Sequence, residues 1–452
     1  MFSTSDTIVA VATPMGRGGL GVVRLSGPAA HDIARALVRR DAALCPRHAT
    51  LARLDGAAIT DEVVVTYFPR PRSYTTEDVV EIAAHGSPVV LRQIVRAAVE
   101  RGARLARPGE FTFRAFIHGR IDLTQAEAVA DLIDAMTPGQ ARAASAQLDG
   151  RLATRLRQID GALFDLIARL EASLDFPDEG YHFVEPGRLS AELERIRGDV
   201  ALLLAPAEHG RLIRDGARVV LLGRPNTGKS SLFNVLCRAE RAIVTEVPGT
   251  TRDVIAEAID LDGVPVTVVD TAGVREVTDE VEREGVRRAS MAAATADLVL
   301  TVLDLSVPLT EADRDLLDET AGRRRLVVAN KCDCDRAWNP DTLGAGACCV
   351  VSALDGEGIP ALTAGIAERL GARGDTAESP AVTNERHIDL LRRCEAALER
   401  AAASLARLGA GAPEEIVLVD LNEAREALDT IAGRRTSDDV LARIFDRFCI
   451  GK

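Results

Sequence analysis

The chain from Ala217 to Ser230 reads ARVVLLGRPNTGKS, an apolar run followed by a glycine-bearing loop that ends in Lys-Ser. An apolar strand, such a loop and a following helix form the context in which this motif holds nucleotide phosphates. With average residue usage, its four fixed positions would occur by chance in roughly one or two chains in a hundred of this length, before context is counted. The stretch therefore predicts a phosphate-binding loop within an α/β sheet.

Each fixed residue of this loop has an expected contact. Gly223 and Gly228 let the backbone approach phosphates closely, and the amides at the start of the helix point toward them. Lys229 meets the β- and γ-phosphate charges, and Ser230 is the expected magnesium ligand. The nucleotide contacts expected from the loop and the first helical turn are Asn226, Thr227, Gly228, Lys229, Ser230 and Ser231.

Three further elements follow in the order typical of a guanine-nucleotide site. DTAG at 270–273 ends an apolar strand, where its aspartate can reach the metal through water. NKCD at 330–333 ends another strand, and its aspartate can accept hydrogen bonds from guanine that adenine cannot donate, so we expect GTP to be preferred over ATP. A Ser-Ala-Leu segment at 352–354 follows the last strand. These elements add the expected contacts Asp270, Thr271, Ala272, Gly273, Asn330, Lys331, Asp333, Ser352, Ala353 and Leu354.

A loop rich in Thr, TEVPGTTRD from Thr245 to Asp253, lies between the phosphate loop and DTAG. It is the expected first switch loop, with Thr251 as the second magnesium ligand. Val274 follows DTAG, where many signalling GTPases have a glutamine that orients the attacking water, and valine cannot do so. The acidic residues further on, Glu282 among them, are on sequence alone more typical of a solvated helix. The nucleotide contacts expected from the switch loop are Thr245, Thr250 and Thr251.

Length and composition limit the class of protein. The 452 residues exceed one ordinary core, so several domains are expected. The formal net charge of −13 argues against a broad positive surface for sequence-independent nucleic-acid binding. No apolar run suits a membrane span and the start lacks a signal peptide, so a cytoplasmic protein without membrane contact is expected. The eight cysteines have no zinc spacing, as expected in a reducing compartment.

Changes in the pattern of apolar residues and of predicted strands and helices divide the chain into four segments. Residues 1–118 mix strand-like and helical runs. Residues 119–215 and 375–452 carry apolar residues at three- and four-residue spacing, which predicts amphipathic helices that need a partner to bury their apolar faces. Residues 216–374 alternate strands and helices, which is typical of a mostly parallel sheet. The prediction is a multidomain protein with an α+β N-terminal domain, a discontinuous α-helical domain and an inserted α/β P-loop domain.

Longer motifs from both ends of the chain and from its middle carry a family resemblance. They are YTTEDVVEIAAHG at 74–86, DLTQAEAVADLIDA at 122–135, GRPNTGKSSLFN at 223–234, PGTTRD at 248–253, DTAGVRE at 270–276, DEVE at 279–282 and FCIGK at 448–452. Together they resemble the MnmE family of tRNA-modifying GTPases, also called TrmE. The resemblance covers the whole chain.

The resemblance implies a domain plan, cofactors and partners. The family has an N-terminal domain that forms the homodimer and binds 5-formyltetrahydrofolate or a related one-carbon folate, a discontinuous helical domain and an inserted G domain. With the flavoprotein MnmG (GidA), which carries the FAD, it forms a heterotetramer. This complex adds a carboxymethylaminomethyl or aminomethyl group to the 5 position of the wobble uridine of certain tRNAs.

The resemblance also implies a potassium ion beside the nucleotide. In the family this ion helps to bring two G domains together and supplies the positive charge that an arginine finger gives elsewhere. The positions that match its ligands are Asn226, Thr245, Val247 and Thr250. Glu282 matches the family's water-orienting glutamate, which would supply the function that Val274 cannot, and it would act with Lys229 in catalysis.

The resemblance places the folate contacts at Arg24, Glu81, Arg120 and Lys452. Arg120 stands where the family often has lysine, and the two side chains differ in geometry. Cys449 lies beside the implied one-carbon site, and a role as a small buried hydrophobic residue is equally compatible with its position.

Two other functions fit parts of the pattern. A ribosome-assembly or signalling GTPase would switch without chemistry on RNA, but such proteins often carry an RNA-binding module or a basic tail, and the sequence has neither. A folate-binding regulatory protein could use its G domain only to gate the binding of a partner. The chemical state of the wobble uridine separates these functions from tRNA modification.

The match of Glu282 generates a test. The variant Glu282→Ala should still bind GTP, because the side chain orients water and does not hold the nucleotide. It should lose hydrolysis, which is measured as phosphate released under single-turnover conditions. An unchanged rate of phosphate release would remove Glu282 from the site.

Overall fold

The computed structural model describes residues 5–39, 41–55, 57–175, 186–239, 255–271, 294–344, 348–372, 382–408 and 414–451. The chain divides into two compact units, each discontinuous in sequence. One consists of Met1–Ala130, Leu148–Ser190 and Ala397–Lys452, and the other of Asp131–Gln147 and Ala191–Ala396. The domain boundaries expected at residues 118, 215 and 374 stay a prediction.

The strands and helices of the described residues are numbered in chain order. The strands are β1 Ile8–Val11, β2 Gly18–Ser26, β3 Thr50–Leu54, β4 Asp61–Phe68, β5 Val79–Gly86, β6 Arg104–Leu105, β7 Ala217–Leu222, β8 Ile255–Leu261, β9 Val264–Asp270, β10 Leu298–Asp304, β11 Arg325–Asn330 and β12 Cys348–Val350. The helices are α1 Ala30–Leu37, α2 Pro88–Val99, α3 Glu110–Ile117, α4 Leu123–Asp134, α5 Pro138–Leu148, α6 Arg151–Asp175, α7 Pro186–Leu204, α8 Ala207–Asp215, α9 Lys229–Ala239, α10 Glu311–Thr320, α11 Ile359–Leu370, α12 Glu385–Leu408, α13 Glu414–Ala432 and α14 Asp438–Phe445.

The first unit contains a six-stranded mixed sheet in the order β3-β4-β5-β2-β1-β6. Neighbouring strands are antiparallel except for the short β6, which pairs in parallel with β1. Buried and partly exposed residues alternate along β5, as expected for a strand with one covered face. Helices α1 and α2 cover that face through a core that includes Ile33, Leu37, Val65, Ile82 and Ile94.

Helices α6 and α13 also pack within this unit. The apolar residues of α6 recur at three- and four-residue spacing, and Leu152, Leu156, Leu163 and Leu170 are all buried. The predicted amphipathic helix is therefore present. None of the helices in the described residues is long and apolar enough to cross a membrane.

The second unit contains a six-stranded sheet in the order β12-β11-β10-β7-β9-β8. Only β8 runs antiparallel to its neighbour in this described sheet. Helices α9 and α11 cover one face through Leu232, Leu236 and Leu362, and Leu316 of α10 packs against the other. The expected mostly parallel sheet with helices on both faces is confirmed, and β7 lies inside it. Ligands of such sheets bind at the carboxyl ends of the strands.

A buried ionic network ties the start of the chain to the rest of the first unit. The Arg114 side chain is fully buried, and its guanidinium donates to Asp6 Oδ1 at 2.6 Å, to the Glu77 carboxylate at 3.1 Å and to Glu110 Oε1 at 3.2 Å. Arg104 donates to the same Asp6 and Glu110 carboxylates. The acidic residues and the two guanidiniums compensate one another, so each buried charge has a partner.

Removing the central guanidinium should destabilise the protein. Arg114→Met keeps an unbranched side chain but takes the central guanidinium from the Glu77, Glu110 and Asp6 carboxylates, which leaves the network with an excess of negative charge and costs about 3–5 kcal/mol of unfolding free energy. Urea unfolding of the intact chain measures the loss. Arg96→Met is the matched control, since Arg96 pairs with Glu100 on an exposed helix face, where ion pairs contribute little. Equal losses in the two variants would contradict the role given to the network.

Candidate functional site

Those residues expected to bind nucleotide that lie in the described part of the chain come together at one edge of the second sheet. Strands β7 and β9 are parallel, with Leu221 opposite Asp270, and β10 and β11 are parallel, with Asp304 opposite Asn330. The phosphate loop leaves β7 at this edge, and α9 begins at Lys229. Because the strands end at the same edge, the phosphate loop and the base-reading segment lie beside each other.

Both glycines of the phosphate loop are required by close contacts. A Cβ atom on Gly223 would lie 2.4 Å from the Val302 carbonyl oxygen. Gly228 has φ +89°, and a Cβ there would lie 2.2 Å from Asn330 Nδ2. Asn226 also has a left-handed backbone, with φ +64°, and its side chain is exposed. Larger residues at the two glycines would displace the loop from the neighbouring strands.

The ammonium of Lys229 lies over this loop. Its Nζ donates to the carbonyl oxygens of Gly223 at 2.8 Å and of Arg224 at 2.7 Å. Only 6% of the residue is exposed, and this burial lowers the Lys229 pKa, although the Asp270 carboxylate partly offsets the effect. A phosphate bound here would add negative charge and favour the charged ammonium.

Asn330 links the phosphate loop to the Ser-Ala-Leu segment. Its Nδ2 donates to the Thr227 carbonyl oxygen at 2.9 Å, and its Oδ1 accepts from the Ala353 amide at 3.0 Å. The side chain is buried, and both ends of its amide are used inside the protein. Asn330 therefore positions two loops, and its expected direct contact with nucleotide stays a prediction.

The base-reading segment presents an exposed carboxylate. Asp333 is exposed, and a hydrogen bond from Ser352 is the largest cause that lowers its pKa below 3.8. The carboxylate is therefore ionised at neutral pH and accepts hydrogen bonds only. Ser352 is buried, whereas Leu354 is 86% exposed, so the segment at 352–354 anchors itself through serine and turns leucine outward.

Lys331 is held by a residue that the sequence analysis did not select. Its backbone has φ +70°, and its Nζ donates to Asp304 Oδ2. Burial raises the pKa of Asp304, but the hydrogen bonds from Lys331 and Ser306 outweigh burial and lower it. In the sequence, Asp304 is marked only as a single carboxylate at the end of the apolar run LVLTVLD. This signal is weak unless the pairing of β10 with β11 is known.

Oxygen atoms suited to magnesium lie at the same edge. Ser230 and Ser231 are exposed in the first turn of α9, and the buried Asp270 ends β9. Thr271 Oγ1 donates to the Leu221 carbonyl oxygen at 2.8 Å, which ties the end of β9 to β7. Among the residues that the structure describes, no cluster of three His, Cys, Asp or Glu side chains forms a metal site. Magnesium in such sites uses few protein ligands together with substrate phosphates, which these residues fit.

Several expected site residues lie outside the described part of the chain. They are Thr245, Val247, Thr250, Thr251, Ala272, Gly273, Glu282 and Lys452. Their roles stay predictions.

A second cluster forms in the first unit around Tyr74. Arg24 donates to Glu81 Oε1 at 2.8 Å and to the Gly451 carbonyl oxygen at 3.3 Å. The guanidinium carbons of Arg24 and Arg120 lie 5.3 Å and 6.0 Å from the centre of the Tyr74 ring. The structure thus brings together three of the expected folate residues and the penultimate residue of the chain. Tyr74 was missed because an aromatic residue within a motif does not reveal which side chains approach it.

The exposure of Cys449 is incompatible with one of its two expected roles. The Cys449 thiol is exposed, which excludes the role of a small buried hydrophobic residue. Its carbonyl oxygen accepts from the Gly109 amide at 3.5 Å, near the limit for a hydrogen bond. The expected role at a one-carbon site stays a prediction.

Comparisons with known proteins cover almost the whole chain. The family described as "GTP-binding protein TrmE N-terminus" matches residues 7–120, and the "MnmE helical domain" family matches residues 123–449. A tRNA modification GTPase MnmE from Koribacter versatilis is 44% identical over 457 residues, which cover 99% of each chain. One from Chloroflexus aurantiacus is 45% identical over 461 residues, 99% of this chain and all of that protein.

A match among solved structures is much weaker. The G domain of the T. maritima FeoB iron transporter aligns with 34% of this chain and 98% of its own length, at 24% identity and a TM-score of 0.25. A match of this size carries no conclusion about function.

The position of Asn330 leads to a test of the link between the loops. Asn330→Ala leaves the Thr227 carbonyl and the Ala353 amide without their buried partner, so affinity for both GTP and GDP should fall by roughly ten- to a hundredfold. Titration with a fluorescent nucleotide measures this affinity. Asn339→Ala is the matched control, since Asn339 is exposed and only caps the turn Pro340–Leu343. Unchanged affinity in Asn330→Ala would contradict the linking role.

Proposed function

The chain belongs to the MnmE family of tRNA modification GTPases, and from this we propose that it hydrolyses GTP to modify the wobble uridine of certain tRNAs. The modification is the addition of a carboxymethylaminomethyl group at the 5 position. The reaction requires the flavoprotein MnmG (GidA), which supplies the FAD.

One observation carries the GTPase part of the proposal. The Lys229 ammonium and the exposed Asp333 carboxylate lie at the same edge of one sheet, and Asn330, three residues before Asp333, donates to the Thr227 carbonyl of the phosphate loop. A cation at one loop and an ionised acceptor at the other suit the two ends of a nucleotide. The acceptor suits guanine because adenine would leave it unpaired.

Phosphoryl transfer depends on positioning and charge neutralisation more than on covalent chemistry. Lys229 and the amides that begin α9 neutralise the β- and γ-phosphates. Ser230 and Thr251 would hold magnesium, with Asp270 as a further group near it, and the ion would neutralise further charge on the phosphates. Glu282 orients the attacking water in place of the glutamine that Val274 replaces.

Potassium is proposed at the phosphate loop. Asn226 fits this role because it is an exposed residue of the phosphate loop and its amide oxygen is a suitable ligand for the ion. The other proposed ligands are Thr245, Val247 and Thr250. When bound, the ion supplies positive charge at the face where the G domains of a homodimer meet.

The cluster around Tyr74 is proposed as the folate site. It offers a guanidinium pair, the Glu81 carboxylate and an aromatic ring within one small region. This set fits 5-formyltetrahydrofolate or a related folate, which carries carboxylates for the guanidiniums and N–H donors for Glu81. Arg24, Glu81, Arg120 and Lys452 would hold the folate, and Cys449 would lie beside its one-carbon group.

The proposal extends to partners and location. The protein acts as a homodimer, forms a heterotetramer with MnmG and receives tRNA in that complex. It works in the cytoplasm. The net charge of −13 makes a broad tRNA-binding surface on this chain alone unfavourable, so tRNA contacts are local or shared with the partner.

Wobble nucleosides in cells that lack this chain test the function. Mass spectrometry should show uridine without its carboxymethylaminomethyl group, and wild-type protein should restore the modification. Lys229→Ala should not restore it, because the phosphate charges lose their partner. The exposed-face variant Arg96→Ala should restore it fully. Normal nucleosides in cells without the chain would refute tRNA modification and favour a regulatory GTPase.

A further inference from the structure

The second residue of the phosphate loop is anchored to a helix of the same unit. Arg224 Nε donates to Asp313 Oδ1 at 2.8 Å. The Asp313 carboxylate is only 3% exposed, whereas the Arg224 side chain is 32% exposed. A charge-assisted hydrogen bond to a buried carboxylate is stronger and better ordered than an ion pair in solvent.

Asp313 is itself held in place by the start of α10. Its Oδ2 accepts from the Thr310 amide at 2.9 Å and from Thr310 Oγ1 at 2.7 Å, while its own amide donates to Thr310 Oγ1. This reciprocal pattern is a capping box. One carboxylate oxygen therefore completes the helix cap, and the other is directed to Arg224. Because the cap orients the carboxylate, Asp313 is a fixed anchor for the loop.

The backbone of Arg224 contacts the key cation of the site. Its carbonyl oxygen accepts from Lys229 Nζ at 2.7 Å and from Thr227 Oγ1 at 3.0 Å. An ammonium has three N–H donors, and the carbonyl oxygens of Arg224 and Gly223 engage two of them. The third is left for a phosphate oxygen. The direction of the Arg224 carbonyl thus helps to set the direction of that N–H.

These contacts form a chain from α10 to the phosphate site. The capping box orients Asp313, Asp313 holds the Arg224 side chain, and the Arg224 carbonyl holds Lys229. We propose that Arg224 and Asp313 are a positioning pair for Lys229, which aligns the ammonium for phosphoryl transfer. The inference rests on the proposed contact between Lys229 and the phosphates of GTP.

Loss of the pair should affect turnover more than binding. Lys229 attracts a nucleotide phosphate from a range of positions, because its charge acts over distance. The transition state requires a defined geometry, and small misplacements of a reacting or stabilising group lower the rate steeply. A less ordered Arg224 carbonyl should therefore lower kcat more than it lowers nucleotide affinity.

Steady-state GTP hydrolysis by the full chain, together with GDP affinity, tests the pair. In Arg224→Ala we expect kcat to fall about tenfold, while GDP affinity changes by less than about threefold. Arg224→Lys keeps the charge without the Nε geometry and should recover part of the rate. The double variant Arg224→Ala/Asp313→Ala should be no slower than the slower single variant, because both substitutions break the same contact.

Thr310→Ala separates positioning from helix stability. It removes the hydroxyl of the capping box, but the Thr310 backbone amide still donates to Asp313 Oδ2 and keeps the carboxylate oriented toward Arg224, so kcat should stay near the wild-type value. The inference is overturned if kcat of Arg224→Ala stays within twofold of wild type. It is also overturned if Thr310→Ala lowers kcat as much as Arg224→Ala, or if the losses of the two single variants add in the double variant.

The wild-type protein and Lys229→Ala distinguish the inference from the proposed function. If wild type hydrolyses GTP and Lys229→Ala does not, an unchanged Arg224→Ala refutes the positioning pair alone. If the folded wild-type protein hydrolyses no GTP, both the proposed function and the inference fail.

Discussion

The burial of the Lys229 ammonium against two loop carbonyls is the constraint on which the nucleotide site depends. A buried ammonium is costly unless acceptors surround it, and desolvation lowers its pKa accordingly. Gly223 and Arg224 supply the acceptors because the loop turns their carbonyl oxygens inward. That turn exists only because the two glycines admit contacts that a Cβ atom would block.

The same constraint explains why the loop needs support from outside its own sequence. A loop that directs carbonyl oxygens inward has few hydrogen bonds of its own, so neighbouring segments must hold it. Asn330 does so from β11, with one amide group on the phosphate loop and the other on the Ser-Ala-Leu segment. The end of β10 supports the base-reading segment through the contact of Asp304 with Lys331, and the first turn of α10 supports the phosphate loop through the contact of Asp313 with Arg224. The phosphate-binding and base-reading parts of the site are therefore held by one frame.

The strands, the phosphate loop, the position of Asp270 at a strand end and that of NKCD after β11 were predictable because each depends on a local pattern. Apolar runs ending in Leu222 and Asn330 predict strands, and the glycine spacing predicts the turn. The supporting contacts were not predictable. Arg224 and Asp313 are 89 residues apart, and Lys331 and Asp304 are 27 apart, so only the sheet order brings them together. The same limit applies to Tyr74, because its two guanidinium neighbours come from different elements.

The central claim is that one loop binds a triphosphate while Asp333 selects its base. Calorimetry with non-hydrolysable analogues of GTP and ATP, on folded protein with magnesium present, tests both parts in one measurement. The account predicts heat of binding at one site per chain for the guanine analogue and none for the adenine analogue. No heat with the guanine analogue, or equal binding of both analogues, would contradict it.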